Sequence, residues 1–401
     1  MALSAPPLAL YVHFPWCVRK CPYCDFNSHT VHGPAPVAEY LEALRADLQA
    51  QAPAVGGRPV VSVFLGGGTP SLMPPASVAQ LLDWVRAELD LSGCDEVTLE
   101  ANPGTIERGR FSEYRSAGIT RVSLGAQSFQ PAHLAALGRI HSADETRRAA
   151  EELHAAGLQN FNLDLMVGLP GQDASGALAD VNEALALQPA HISHYQLTLE
   201  PGTVFGGRPP PGLPQHDVAA DMQDHCHERL ASAGFAHYEV SAFARAGRQC
   251  LHNLNYWQFG DYVGIGAGAH GKCTDAARAR IERTTREREP RRYMARGAHG
   301  VPPSHVVRAS ELPFEFMLNA LRLIDGFSTA LYEQRTGLSW QGIGERMARL
   351  QARGLVEQQE DRWRATRRGA RFLNDLLLEF VNMPREERPG LGRKSPTNPN
   401  T

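Results

Sequence analysis

Residues 11–28 read YVHFPWCVRKCPYCDFNS, an apolar strand-like start that runs straight into Cys17, Cys21 and Cys24. The CxxxCxxC spacing gathers three potential thiolates, with the aromatic Tyr23 just before the last. Full cysteine ligation would close every iron corner of a 4Fe–4S cubane, whereas three thiolates leave one iron open. An open iron can chelate the amino and carboxylate groups of S-adenosylmethionine. An electron from the cluster can then break a C–S bond of the sulfonium and release a 5′-deoxyadenosyl radical. The spacing taken alone also fits a structural zinc site with His13 or His29 as fourth ligand. Arg19 and Lys20 add positive charge that favours thiolates.

Downstream of this stretch, short apolar runs alternate with amphipathic ones. Strands are expected at Leu8–Phe14, Val60–Gly66, Glu96–Ala101, Arg121–Gln127, Phe161–Val167 and His191–Leu199. Between them Val37, Leu41, Leu44 and Leu48 recur at helical spacing, as do Val78, Leu81, Leu82, Val85 and Leu89. Six β–α units in a row predict an α/β fold with a parallel sheet covered by helices, either open or an incomplete barrel. In such barrels the chemistry collects where strands end and helices begin.

The remainder divides by texture. Residues 1–245 are assigned to the partial barrel. Residues 246–305 are expected to form an irregular linker, Gly- and aromatic-rich at first and then dense in Arg and Glu. Residues 306–384 predict a mainly helical, winged-helix-like domain, and 385–401 a disordered tail.

The chain has 401 residues, 43% of them apolar, 21% charged, with a net charge of −3, which does not support nucleic-acid binding. No stretch approaches the roughly 20 apolar residues of a membrane span, and the N-terminus lacks a signal-peptide pattern. The expected compartment is therefore cytoplasmic, where seven cysteines read as metal ligands or buried thiols rather than disulfides.

Several polar residues stand at or near the predicted strand ends. Gly66, Gly67, Gly68 and Thr69 form a glycine turn whose backbone can approach a ligand closely. Glu100 opens the run EANPGT; Gln127, Arg139 and Asp164 supply an amide, a guanidinium and a carboxylate suited to ribose hydroxyls and a methionine carboxylate. Each of them could equally be structural.

Together these residues resemble the radical-SAM family of oxygen-independent coproporphyrinogen III oxidases and their relatives, the HemW-type heme chaperones. The matching blocks are YVHFPWCVRKCPYCDF, FLGGGTPS, TLEANPGT, RVSLGAQSF, LGRIHSA, DLMVGLPGQ and EFMLNALRL. The resemblance implies an incomplete (β/α)6 radical-SAM barrel with a winged-helix-like C-terminal domain. It implies Cys17, Cys21 and Cys24 as cluster ligands, and Tyr11, Gly67, Gly68, Thr69, Glu100, Gln127, Arg139 and Asp164 around S-adenosylmethionine.

Three features bear on the branch. The oxidases carry CxxxCxxCxC, and the extra cysteine is Phe26 here. They also have a long extension before the first-strand tyrosine, whereas ten residues precede Tyr11. His252-Asn253-Leu254-Asn255-Tyr256-Trp257 matches HNxxYW, a chaperone-branch signature. That match implies heme as a further ligand near this segment, with His252 a candidate axial ligand and Tyr256 and Trp257 offering contact to the macrocycle, and it does not fix which atom holds the iron; the alternative is that the motif packs a loop against the barrel. The expected function is a heme chaperone that passes heme to acceptor hemoproteins. The alternative is an oxygen-independent coproporphyrinogen III oxidase, which removes carbon dioxide from two propionates.

Overall fold

The structure is a computed structural model and describes residues 3–104, 109–297 and 300–381. The expected tail, 385–401, lies outside the described residues.

The first strand, β1 (Leu8–Phe14), is followed by β2 (Val60–Gly67), β3 (Glu96–Ala101), β4 (Arg121–Gln127), β5 (Phe161–Val167) and β6 (His191–Gln196). Each pairs in parallel with the next. Helices α1 (Val37–Val55), α2 (Pro75–Glu88), α3 (Phe111–Ala117), α4 (Ala143–Ala155) and α5 (Ala174–Ala186) connect them. The helical spacing read from sequence has a packing cause: Leu41, Leu44 and Leu48 of α1, and Val78, Leu81, Leu82 and Val85 of α2, are all buried in one core cluster. Burial of such side chains contributes about 1.5–3 kcal/mol each, which makes this helix–sheet interface the main stabilising layer.

Strand alternation sorts the residues of β3. Val97, Leu99 and Ala101 join that apolar core, while Glu96, Thr98 and Glu100 take the opposite face. The same parity puts Arg121 and Ser123, Asn162 and Asp164, and His191, Ser193 and Tyr195 on the inner face. Asn162 Nδ2 donates to Ser123 Oγ at 2.8 Å and to Asp164 Oδ1 at 2.7 Å, and Asn162 Oδ1 accepts from Ser193 Oγ at 3.0 Å. The barrel interior is therefore a hydrogen-bonded polar network enclosed by an apolar shell.

The sheet does not stop at six strands. After helix α6 (His216–Ser232), β7 (Ala236–Glu239) and β8 (Ala242–Ala244) add antiparallel to β6. Beyond β1, β9 (Asp261–Ile265) pairs in parallel, and β10 (His270–Asp275), β11 (Arg280–Thr285) and β12 (Ser304–Val306) continue antiparallel. The result is one twelve-stranded sheet in the order β12-β11-β10-β9-β1-β2-β3-β4-β5-β6-β8-β7.

The expectation of an irregular linker at 246–305 is thus corrected. That segment contains helix α7 (Leu251–Trp257) and three strands of the main sheet. Its ordering charges are buried: Lys272 Nζ lies 2.8 Å from Asp261, which also meets Arg58 at 2.9 Å. A buried pair of this kind looks like surface composition in a sequence.

The C-terminal part is winged-helix-like. Helices α8 (Leu312–Ala320), α9 (Thr329–Thr336) and α10 (Gln341–Ala352) lead into a small sheet, in which β13 (Phe327–Ser328) pairs with β15 (Arg362–Ala365) and β15 with β14 (Val356–Gln359). Its core, centred on Phe316, Phe327 and Tyr332, also takes in Phe259 and Ile281 of the main sheet region. The two parts are therefore packed through shared apolar contacts. No helix among the described residues is long and apolar enough to cross a membrane.

Candidate functional site

Cys17 ends a two-residue strand, Trp16–Cys17, which pairs in parallel with His29–Thr30. The loop between them is tied back by Lys20, whose Nζ donates to Phe26 O and Ser28 O at 3.1 Å each. Lys20 therefore holds the cysteine loop in shape.

The glycine turn docks on the same strand. Gly68 N–H donates to Phe14 O at 2.7 Å and Thr69 N–H to Trp16 O at 2.8 Å. A Cβ on Gly68 would stand 2.5 Å from Trp16 O, so glycine is required by backbone proximity. Gly67 has φ +116°, and a Cβ there would meet the His13 ring at 2.5 Å.

Each thiol has a polar neighbour. Thr69 Oγ1 donates to Cys17 Sγ at 3.4 Å, Arg139 Nη1 to Cys21 Sγ at 3.7 Å, and Ser28 Oγ lies 3.8 Å from Cys24 Sγ. Burial raises the Cys17 and Cys24 thiols above their ordinary pKa, partly offset by the hydrogen bonds from Thr69 and Ser28. Metal binding would displace those protons.

A cavity of about 620 Å³ joins the three cysteines to Gly67, Gly68 and Thr69, and to Glu100, Gln127, Arg139 and Asp164. Four strand ends and the cysteine loop thus converge as the sequence predicts. Tyr11 does not line this space. It lies in a second cavity of about 520 Å³, which also contains Gly67 and Glu100, so those two residues line both cavities.

The polar residues of the first cavity are poised by burial. Burial, then the charge of Asp164, pushes the Glu100 carboxyl up to about 8, while Gly67 N–H donates to Glu100 Oε2 at 3.0 Å and works against that shift. Asp164 is raised by burial, against hydrogen bonds from Asn162 and Ser193. Gln127 holds φ +66° where the β4–β5 register shifts, and its Oε1 accepts from Tyr195 O–H at 2.9 Å. A non-glycine residue held there stores local strain of the kind found at ligand sites. Arg139 donates to Gly125 O at 2.7 Å and to Asn102 Oδ1, while its Nε is buried without a partner among the described residues.

Asn102 and Tyr195 were not singled out from the sequence. Asn102 Nδ2 donates to Thr69 Oγ1 at 2.9 Å, linking the arginine to the residue beside Cys17. The EANPGT run was its only signal; Tyr195 had none beyond its place at a strand end.

His252 is not brought to either cavity. It is 1% exposed, with Nδ1 3.0 Å from Ser62 Oγ and Nε2 2.9 Å from Tyr256 O–H. Burial, then the charge of Arg121, lowers its pKa to about 3. Both ring nitrogens are thus engaged, and in this arrangement His252 presents no free nitrogen to either cavity. Its neighbours do reach a cavity: Tyr256 and Trp257 line the second one.

The donor set fits an iron–sulfur cubane. Three cysteines from one loop border one cavity, which matches the three thiolates of a cubane with one open iron. Of the two candidate zinc histidines, His13 has both ring nitrogens engaged, with Tyr11 O–H at 3.1 Å and Asn27 O at 2.9 Å, whereas His29 Nε2 has no hydrogen-bond partner among the described residues. On a cubane, three thiolates would each take one corner iron and leave the fourth open.

A three-cysteine loop at the strand ends of a partial parallel barrel is the defining arrangement of radical SAM proteins. Consistent with this, the Radical SAM superfamily matches residues 11–182, and the HemN C-terminal domain matches residues 307–372. The chain is 47% identical to the heme chaperone HemW of Escherichia coli (strain K12), over 94% of this chain and 99% of that one. It is 45% identical to HemW of Haemophilus influenzae, over 94% and 98%. The mouse radical S-adenosyl methionine domain-containing protein 1, mitochondrial, is 36% identical over 93% of this chain and 87% of its own. Among solved structures, the coproporphyrinogen III oxidase HemN from Escherichia coli shares the fold, with TM-score 0.78 at 20% identity over 94% of this chain and 90% of that one. The chain belongs to the HemW family of the radical SAM superfamily.

Proposed function

We propose that the protein is a cytoplasmic heme chaperone, which binds heme beside a 4Fe–4S cluster and S-adenosylmethionine and passes the heme to acceptor hemoproteins. The carrying observation is the second cavity, walled by Tyr256 and Trp257 of HNxxYW and adjoining the cysteine cavity along Gly67 and Glu100. The near-full-length likeness to heme chaperones supports the same reading.

Cys17, Cys21 and Cys24 would hold the cluster. When bound, the cluster supplies the electron that cleaves a C–S bond of S-adenosylmethionine. The Gly67–Thr69 turn and Glu100 would receive the methionine ammonium group. Arg139, whose Nε has no partner among the described residues, would meet the carboxylate, and Gln127 and Asp164 the ribose hydroxyls. Tyr11, on the side of the second cavity, would back this site without facing the cysteines.

The rival reading is an oxygen-independent coproporphyrinogen III oxidase. Its support is the shared fold, which does not carry function. Phe26, in place of the further cysteine, lines both cavities and is 57% exposed, so the cysteine loop presents an apolar side chain there.

Titration of the anaerobically reconstituted protein with heme, followed by the Soret band, tests the proposal. Saturation near equimolar heme is the expected result; no saturable binding would defeat it.

A further inference from the structure

The second cavity is lined by both aromatic and cationic side chains. Tyr256 and Tyr262 meet edge to face with ring centroids 4.5 Å apart, and Trp257 is backed by the Arg322 guanidinium at 4.3 Å. His270, Arg283 and Arg288 line the same cavity. A volume of about 520 Å³ falls within the range of cofactor pockets, about 300–1,000 Å³.

The three histidines in or beside this cavity differ in what is free. His13 and His252 each have both ring nitrogens engaged. His270, on β10, is exposed, and its Nδ1 lies 3.3 Å from Thr285 Oγ1. Its Nε2 has no hydrogen-bond partner among the described residues. One nitrogen oriented by a hydroxyl and the other open to a cavity is how proteins prepare an imidazole to bind a metal. Partial burial, then the charges of Arg283 and Arg288, lowers the His270 pKa, which favours the neutral, ligating form.

The cations differ in the same way. Lys272 is committed to Asp261 and to the carbonyls of Phe259 and Gly260. Arg283 is shared between Tyr262 O–H at 2.6 Å and Glu315. Arg288 enters no ion pair among the described residues; Asn27 Nδ2 donates to its backbone oxygen at 2.9 Å and so ties the segment after β11 to the cysteine loop. Asp25 is the acidic residue of the lining on that loop.

Resting on the heme-chaperone reading above, we infer that heme occupies this cavity, with His270 Nε2 as an axial iron ligand, Tyr256 and Trp257 against the macrocycle, and Arg288 receiving a propionate. His252 is then a positioning residue: it holds the Tyr256 hydroxyl and touches no heme.

The test is heme titration of the full-length reconstituted protein beside His270→Ala and Arg288→Glu, read by Soret position and affinity. His270→Ala should shift the Soret band and weaken binding by roughly tenfold or more, as loss of a metal-site interaction does, and added imidazole should restore the wild-type spectrum. Arg288→Glu should weaken binding with the Soret position unchanged. Both residues are exposed, so the variants should keep the wild-type circular dichroism. Saturable binding by wild type, with the spectrum and affinity of His270→Ala unchanged, would overturn the inference and leave the chaperone reading standing. No saturable binding by wild type would instead defeat that reading itself.

Discussion

Glu100 and Asp164 are two half-buried carboxyls facing one cavity, and their mutual repulsion is part of what raises Glu100 to about 8. Because that value lies above the ordinary 4.5, the folded chain keeps a proton that the unfolded chain has lost between the two. The resulting stabilisation is complete below the lower value and is lost as pH rises through the upper one. Binding of a cation has the opposite dependence, since it needs the carboxylate. S-adenosylmethionine affinity, measured by titration calorimetry, should therefore rise as pH approaches about 8, by at most about tenfold per unit. Glu100→Gln should flatten the profile; a wild-type profile equally flat would count against this placement. At this scale the sequence was readable wherever chemistry and position coincided. The cysteines, the glycine turn, Glu100 and Gln127 come to one cavity because each falls at or near a strand end, whereas Asp164 reaches it from the middle of β5 and Arg139 from the loop after the helix Pro131–Ala136. Arg139 works through Asn102, and Gln127 through Tyr195, and such pairings depend on which strands become neighbours.

Two elements position the site. The turn after β2 packs backbone against backbone on the cysteine strand, so Gly68→Ala must push them apart. Overpacking of this kind costs about 1–3 kcal/mol. The variant should show a lower thermal midpoint and less iron retained after reconstitution; full iron content would show that the contact does not set the cysteine loop. Helix α7 is held at its start by Glu96, whose carboxylate accepts the N–H groups of Leu251 and His252 at 3.1 and 3.2 Å and lies 3.9 Å from buried Arg121. Removing it in Glu96→Ala leaves a buried cation without that partner, a loss of about 3–5 kcal/mol, to be measured by denaturant unfolding. A loss below about 1 kcal/mol would mean the pair behaves as a surface one. Neither α7 nor β9–β11 was legible in the sequence. Seven helical residues are too short for a periodic signal. Strands that bury Lys272 and Asp261, and alternate Arg, Glu and Thr, do not show the apolar repeat of β1–β6.

At the scale of the whole molecule, the extended sheet and the C-terminal part turn one barrel mouth into two adjoining cavities. Asn319 of α8 lines one and Arg322, just after it, lines the other. Arg322 also reaches Glu239 at 3.0 Å and covers Trp257. The apolar core shared through Phe259 and Ile281 makes that closure part of the fold. The barrel and the winged-helix-like texture were readable because each is built from locally patterned elements. Their joint enclosure of a second cavity was not, since it depends on contacts between residues far apart in the chain. On the heme-chaperone reading, this enclosure serves heme delivery. The most direct test mixes heme-loaded, cluster-reconstituted protein with an apo-hemoprotein under anaerobic conditions and follows the Soret band into the acceptor, beside an assay for carbon dioxide release from coproporphyrinogen III. The account predicts heme transfer without S-adenosylmethionine-dependent decarboxylation. Decarboxylation without heme transfer would contradict it.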